Sequence, residues 1–262
     1  MLRRTHRLGQ KFENARGVGR FFPPTLITPR MMAGIPVGHG SRSAEGGPVS
    51  VSGSVVDTDS AGGNQSSFTF SSQSLGAAAG SRIIAVVVSV GWANTSGTID
   101  SVTVGGNSCT QQIAAVDTSS DQVRAEIWAV ALPTGTTGDV VVTLSTATNS
   151  TNRGCAISVY RLVGPGVLTA DATNSSTATT LDVDVNTVAD GFLIAGATGN
   201  SGSATETWTG ITENFQGGAG STATRYSHGQ HTTTSDETPR NVECTTSSYG
   251  LEAGVAAFWG PN

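Results

Sequence analysis

Lysine is nearly absent from this sequence, and charged residues of every kind are scarce. Among 262 residues Lys11 is the only lysine, and 13% of the residues are charged. Residues that favour helices, such as Leu, Lys, Glu, Gln and Met, are few. Gly, Ser, Thr, Val and Ala fill most of the chain; Thr and Val favour strands, whereas Gly and Ser favour turns. The composition therefore predicts an all-β protein with many short strands.

Cysteine is also rare. Cys109, Cys155 and Cys244 lie far apart, and no two of them form a Cys-x-x-Cys pair. This spacing indicates neither a zinc site nor a disulfide framework. We expect buried, unreactive thiols, and we expect no metal or other cofactor.

Long apolar runs are missing. The most apolar stretch, GSRIIAVVVSVGW, has its apolar centre at residues 83–90, which is much shorter than the roughly 20 residues of a membrane-spanning helix. Its β-branched composition predicts a central strand buried on both faces, with the Arg82 guanidinium at the surface or on a carboxylate. The basic N-terminus, MLRRTHRLGQKF, has no apolar segment behind it, so we expect no secretory signal and no membrane insertion.

The charge is divided unevenly along the chain. Residues 1–43 hold eight basic residues and one acid, a net charge of +7, whereas the remaining residues hold six arginines and 18 acids, a net charge of −12. A basic tail on an acidic body indicates an acidic partner for the tail. An acidic surface repels phosphate, so we expect no nucleic-acid binding by the body.

Residues 1–50 are predicted to be an extended arm and linker. Four prolines between residues 23 and 36 exclude a continuous helix or a central strand, and the apolar residues among them are unlike a solvated linker. We expect an arm that lies along another subunit, with a disordered tail as the alternative. The residues predicted to contact the partner are Arg3, Arg4, Arg7, Arg16, Arg20, Phe21, Phe22, Leu26, Ile27 and Arg30.

The body contains one strand pattern twice. A short alternating segment, SSFTF or TTLDVDV, precedes an apolar strand, RIIAVVVSV or GFLIAGAT, and a Thr-rich strand, SVTVGG or ETWTGIT, follows. Arg124 and Arg225 open the next segments, VVVTLS and NVECTT match further on, and each half ends on an apolar strand that runs into Gly-Pro. The pattern predicts two similar antiparallel halves, residues 51–166 and 167–262, each a β-sandwich or jelly-roll-like unit. Chance similarity between strands rich in Ser, Thr and Val is the alternative.

The residues that could carry chemistry give weak signals. His228 and His231 are three residues apart, which on a strand places their side chains on opposite faces, so we expect solvated histidines rather than metal ligands. Asp182 and Asp184 alternate with valines in LDVDV. Calcium sites and glycosidases also use neighbouring acids, but this alternation is typical of the outer strand of a sandwich. No Ser–His–Asp set can be assembled, and we predict that the protein is not an enzyme.

Four tryptophans remain as candidates for binding. Trp128 and Trp259 lie in apolar strands and are expected in the core. Trp92 and Trp208 lie near strand ends, where an exposed indole could stack on a sugar. These two are the candidate glycan-stacking residues of a carbohydrate-binding module.

The succession SSFTF, GSRIIAVVVSV, IDSVTVGG, LPTGTTGDVVVTLS and AISVYRLVG resembles β-rich structural proteins of tailed bacteriophages and prophages, over roughly residues 66–260. Such proteins are decoration, spike or fibre components of the head or tail. The resemblance implies a virion protein, made in the bacterial cytoplasm, that forms a homo-oligomer and binds capsid, portal or tail subunits; it carries over no catalytic residues. A carbohydrate-binding module for host glycans is the first alternative, and a secreted glycan-active enzyme or adhesin is the second.

Overall fold

The computed structural model describes residues 50–93, 97–118, 121–200, 205–219, 224–247 and 252–261. Within these ranges the chain forms 19 strands and no helix, which confirms the all-β prediction. All strand pairings are antiparallel. The described part of the chain holds no helix with the length and apolarity needed to cross a bilayer. The predicted arm lies outside the described residues, apart from Ser50 at its end.

The first nine strands form two sheets. They are β1 Ser52–Gly62, β2 Ser67–Ser74, β3 Arg82–Trp92, β4 Ile99–Val104, β5 Asn107–Ser108, β6 Thr110–Thr118, β7 Gln122–Ala131, β8 Thr137–Leu144 and β9 Gly154–Val163. Sheet I has the order β1-β9-β3-β7-β6, and sheet II has the order β2-β8-β4-β5.

The last ten strands form two further sheets and a short ladder. They are β10 Ala172–Ser176, β11 Thr180–Asp182, β12 Val185–Thr187, β13 Phe192–Gly199, β14 Glu206–Thr209, β15 Thr212–Ala219, β16 Thr224–Thr232, β17 Glu237–Arg240, β18 Glu243–Thr246 and β19 Glu252–Trp259. Sheet III has the order β10-β19-β13-β16-β15, sheet IV has the order β11-β18-β14, and β12 pairs with β17.

Sheets I and III show the same strand order. The places of β1, β9, β3, β7 and β6 in sheet I are taken by β10, β19, β13, β16 and β15 in sheet III. Likewise β2, β8 and β4 of sheet II correspond to β11, β18 and β14 of sheet IV. The segments matched by sequence therefore occupy equivalent positions. That the two halves repeat one duplicated unit stays a prediction.

The sheets are stacked in four layers, and sheet I is an inner one. Alternate residues of β3 point to opposite faces: Val86 and Val88 belong to the core shared with sheet II, whereas Val87 belongs to the core shared with sheet III. All residues of β3 are buried. This confirms the prediction of a central strand buried on both faces.

Sheet III is the other inner layer. Ala197 of β13 packs on Leu181 and Cys244 of sheet IV, while the opposite face of β13 meets sheet I. The stack therefore runs II, I, III, IV. In LDVDV the valine Val183 is buried while Asp182 is exposed, so the predicted alternation is present. The expectation of a solvated acid face holds for Asp182 but not for Asp184, which is half-buried and accepts a hydrogen bond from the backbone of Val242.

The two inner sheets approach closely at Gly196. A Cβ atom on Gly196 would lie 2.3 Å from Cγ1 of Val87, a distance that real Cβ atoms do not tolerate. The glycine therefore leaves the space that the valine fills. This contact explains why the apolar strand of the second half, FLIAGATG, contains a glycine where the first half has a valine.

The prediction for Arg82 is wrong. Its side chain is 1% exposed, and within the described ranges it bonds to no carboxylate. Instead the guanidinium donates hydrogen bonds to the carbonyl oxygens of Leu75, Gly76, Leu132 and Thr134. Arg82 thereby joins the turn before β3 to the turn after β7, because those carbonyls have no place in a strand ladder.

Because Val87 is buried between two sheets, a charged residue at this position should strongly destabilise the body. Val87→Asp should destabilise the body by several kcal/mol, because an unpaired carboxylate would be enclosed in apolar surroundings. Val188 is 44% exposed, so Val188→Asp is the matched control and should change stability by about 0.5 kcal/mol or less. The midpoints of urea unfolding measure both, and equal midpoints would show that sheets I and III do not pack as described.

Candidate functional site

The structure excludes Trp92 as a sugar-binding residue. Its side chain is 0% exposed, packs in the core between sheets I and II and donates Nε1–H to the carbonyl oxygen of Thr146 at 3.3 Å. Gly97 lies against the ring, since a Cβ on this glycine would be 2.6 Å from Nε1 of Trp92. The prediction of glycan stacking at Trp92 is therefore wrong. The arm residues predicted to bind a partner lie outside the described ranges.

Trp208, the second candidate, is partly exposed and belongs to a hydrogen-bonded group at the edge of sheet III. Its indole Nε1 donates to Oγ of Ser227 at 2.7 Å, and this hydroxyl donates to Oε2 of Glu213 at 2.9 Å. Gln216 Nε2 donates to the same carboxylate oxygen at 3.1 Å. An indole, a carboxylate and an amide therefore lie side by side in the second half.

A related group occurs in the first half, around Glu126. This carboxylate is 0% exposed. It accepts hydrogen bonds from Nε of Arg124, from Nε2 of Gln111 at 2.8 Å and from Nε1 of Trp128 at 2.7 Å. Gln111 comes from β6 and the other three residues from β7, so the pairing of these two strands assembles the group.

The two groups share one corresponding residue. Arg124 of β7 corresponds to Arg225 of β16, whose Nε lies 3.7 Å from Oε2 of Glu206. The tryptophans do not correspond, because Trp128 belongs to β7 of sheet I and Trp208 to β14 of sheet IV. The sequence indicated only the matching arginines, because the carboxylates reach them from other positions or strands.

Burial controls the protonation of these carboxyl groups. Loss of hydration raises the pKa of Glu126, although Arg124 and the hydrogen bonds to Glu126 act in the opposite direction. Burial also raises the pKa of Glu206. For Glu252, at the start of β19, burial raises the pKa to about 7, with Glu206 and Asp117 as further negative neighbours and a hydrogen bond to Thr246 opposing the shift.

Arg124 lines an open cleft of about 300 Å³. The remaining lining residues of this cleft, called the Arg124 cleft below, are Gly97, Thr98, Val116, Thr118, Gln122 and Ser145. Gln122 is fixed by two hydrogen bonds to the backbone of Gly97. On β7, Gln122 and Arg124 face the cleft. Trp128 lies on the same face further along the strand and packs in the core between sheets I and II.

His228 is not solvated, so that prediction is wrong. The side chain is 0% exposed and lies between sheets I and III, where Nδ1 is 2.7 Å from Oγ of Ser158 and Nε2 is 2.9 Å from Oγ of Ser89. Since the Ser89 hydroxyl donates to the carbonyl oxygen of Ala197 at 3.4 Å, it accepts from Nε2–H, and Nδ1 accepts from Ser158. Burial lowers the pKa of His228 to about 3, so the ring stays neutral.

A serine beside a histidine resembles a nucleophile and its base. Ser158 and His228 are both completely buried, so no substrate can reach the hydroxyl. The pair instead joins β9 of the first half to β16 of the second half. Its role is structural.

The described residues include no group of three or more His, Cys, Asp or Glu side chains arranged to hold a metal ion. Cys109, Cys155 and Cys244 are free thiols. Burial raises the pKa of Cys109 to about 12 and raises the pKa values of the other two as well. At neutral pH the thiols are therefore protonated, which agrees with the prediction of unreactive cysteines. The prediction of buried thiols holds for Cys155 and Cys244, whereas Cys109 is only partly buried.

Comparison of the chain with protein-family models, with curated proteins and with solved structures gives no match.

Glu252 predicts that stability depends on pH. Its folded-state pKa of about 7 lies above the value of about 4.3 for an unfolded chain. Its contribution to stability is therefore complete below about pH 4 and is lost as the pH rises through 7. Glu252→Gln imitates the protonated form, so the variant should be more stable than the parent by about 1 to 3 kcal/mol at pH 8 and nearly equal to it at pH 4. Urea unfolding at both pH values measures this, and a difference independent of pH would contradict the assignment.

Proposed function

We propose that this protein is a structural component of a tailed-bacteriophage virion, held on the particle through residues 1–43, with the β-rich body displayed. The distribution of charge supports this most directly. Residues 1–43 have a net charge of +7, and the rest of the chain has a net charge of −12. The basic charge that could bind an acidic capsid or tail subunit is therefore concentrated in the N-terminal segment.

The arginines of the body strengthen this argument, since each of them is engaged within the body. Four form ion pairs with carboxylates, and two donate to backbone carbonyl oxygens: Arg124, Arg153, Arg225 and Arg240 in the first group, and Arg82 and Arg161 in the second. The remaining acids leave the body with an excess of negative charge. Attachment by basic side chains is therefore a property of residues 1–43 in this proposal.

The packing of the body suits display. Sheets I and III bury their inner faces against each other, and sheets II and IV contact their outer faces. The body thus completes its own cores. A module of this kind can be carried on a particle by a separate segment of the chain.

Deletion of residues 1–43 tests the proposal. The truncated protein should be soluble, with a β-type circular dichroism spectrum and cooperative melting, and it should be missing from purified particles of the phage that encodes it. Particles that carry the truncated protein at full occupancy would show instead that the body provides the attachment.

Two sets of point variants separate the contributions within the segment. Replacing Arg3, Arg4, Arg7, Arg16 and Arg20 with Gln should weaken attachment and reduce its salt dependence, because ion pairs at a surface are screened by salt. Phe21→Ala combined with Phe22→Ala should weaken attachment at high salt as well, since apolar contacts are not screened.

Carbohydrate binding is a second candidate function, and the group around Trp208 favours it. A partly exposed indole can cover the apolar face of a sugar ring, while the neighbouring Glu213 carboxylate and Gln216 amide can bind hydroxyl groups. The partial exposure of Trp208 and its nearness to Glu213 and Gln216 support this second candidate.

A glycan array with the full chain and with Trp208→Leu tests this candidate. Leucine keeps apolar contact with the cores that Trp208 touches but offers no ring for stacking. A bound glycan should lose about 10-fold or more in affinity with Trp208→Leu, whereas Val188→Ala at an exposed site should bind as the parent does. A parent that binds no glycan, or equal binding by the leucine variant, would reject the role of Trp208.

A further inference from the structure

We infer that the Arg124 cleft of the first half binds a carboxylate group carried by a saccharide, such as a uronic acid residue. This ligand class goes beyond the neutral sugar stacking considered for Trp208. The inference rests on the second candidate function for its choice of a saccharide, but it uses other residues in the other half of the body.

Within the described residues, Arg124 forms a hydrogen bond through only one of its three guanidinium nitrogens. Its Nε–H is directed at Glu126, and the side chain is 15% exposed where it lines the cleft. Across the described ranges no hydrogen bond uses its two terminal nitrogens. These nitrogens present parallel N–H groups, the arrangement that binds a carboxylate through two hydrogen bonds.

Glu126 holds the Arg124 side chain in place on the side away from the cleft. Glu126 is fully buried and is itself fixed by Gln111 and Trp128. Enclosing a carboxylate is costly, and a buried ion pair contributes little net stability compared with apolar residues of similar size. Such a pair is instead effective at orienting one side chain for a ligand. The raised pKa of Glu126 agrees with this cost.

The remaining lining of the cleft favours a saccharide over a peptide. Thr118 and Ser145 bring hydroxyl groups to the cleft, and hydroxyls can bind sugar hydroxyls; the Ser145 oxygen already accepts from the backbone of Thr98 but its O–H can donate. Val116, which is 39% exposed, offers a small apolar surface to a sugar ring. The volume of about 300 Å³ lies at the lower limit for small-molecule sites, which suits one sugar residue.

None of the cleft-lining residues is a carboxylate, and the carboxylates next to them in sequence are engaged by other groups. Asp117 accepts a hydrogen bond from the backbone of Glu252 in the second half, and Asp121 is paired with Arg153. Asp100 accepts from the Thr98 hydroxyl at 2.7 Å. The N–H groups of Arg124 favour binding of an anion, whereas the net negative charge of the body opposes it. We therefore expect a modest affinity.

Calorimetric titration of the full-length protein tests the inference. The probes are a digalacturonate, its neutral methyl ester, sodium acetate and an acidic tripeptide. The digalacturonate should bind, and the ester, the acetate and the tripeptide should each bind about 10-fold more weakly or worse. If the ester binds as tightly as digalacturonate, the carboxylate is not recognised. If acetate binds as tightly, the sugar is not recognised. Tighter binding of the tripeptide would favour a protein partner. A parent that does not bind digalacturonate also overturns the inference.

Variants locate the site. Arg124→Lys keeps a cation for Glu126 but loses the second N–H group, so affinity should fall about 10-fold or more. Thr118→Glu leaves the pair intact and places a negative charge in the cleft, so binding should be lost; Val188→Glu is the matched control and should bind as the parent does. Binding by Arg124→Lys and Thr118→Glu at the parent's affinity would overturn the inference. Since binding is measured in solution, its failure is distinct from a failure of virion attachment or of the Trp208 site.

Discussion

The packing of sheet I against sheet III is the contact on which the rest of the body depends. Each of these sheets has a neighbouring sheet on both faces, so every residue of β3 and β13 is buried. This explains why the two most apolar segments of the chain are strands, and why they are not alternating ones. At their centre Val87 fills the space left by Gly196, which sets the distance between the halves. Everything that meets solvent, including the Arg124 cleft and the Trp208 group, is placed relative to these two layers.

Polar groups between the sheets make this packing specific. His228 of sheet III and Ser158 of sheet I are hydrogen-bonded across the contact. In the strand order that the two sheets share, Ile127 of sheet I corresponds to His228, and Val255 of sheet III corresponds to Ser158. A displaced register would leave the buried imidazole without partners, which costs about 1–3 kcal/mol for each unsatisfied group. Because the polar pair has an apolar counterpart, the two halves are not interchangeable. One arrangement is therefore favoured over its alternatives.

The sequence predicted features that depend on local pattern, and it failed where distant segments decide the environment. The all-β class, the buried strand at residues 83–90 and the alternation in LDVDV follow from composition and period. Trp92, His228 and Arg82 were each predicted to reach solvent or a carboxylate. Each is instead enclosed through contacts that exist only in the folded chain, with near residues such as Gly97 beside Trp92 and with distant ones such as Ser158 beside His228. The surroundings of Glu126 could not be predicted for the same reason, since its partners depend on the register between β6 and β7.

The contacts between sheets I and III make the four layers one cooperative body rather than two independent sandwiches. Amide hydrogen exchange of the full chain tests this most directly, because it reports the free energy of opening for each strand. We expect the amides of β3 and β13 to be the slowest to exchange and to share one opening free energy, equal to that of global unfolding. If the amides of β13 and the rest of sheet III open at a free energy lower than those of β3 by more than about 2 kcal/mol, the halves unfold separately and the body is not one cooperative unit.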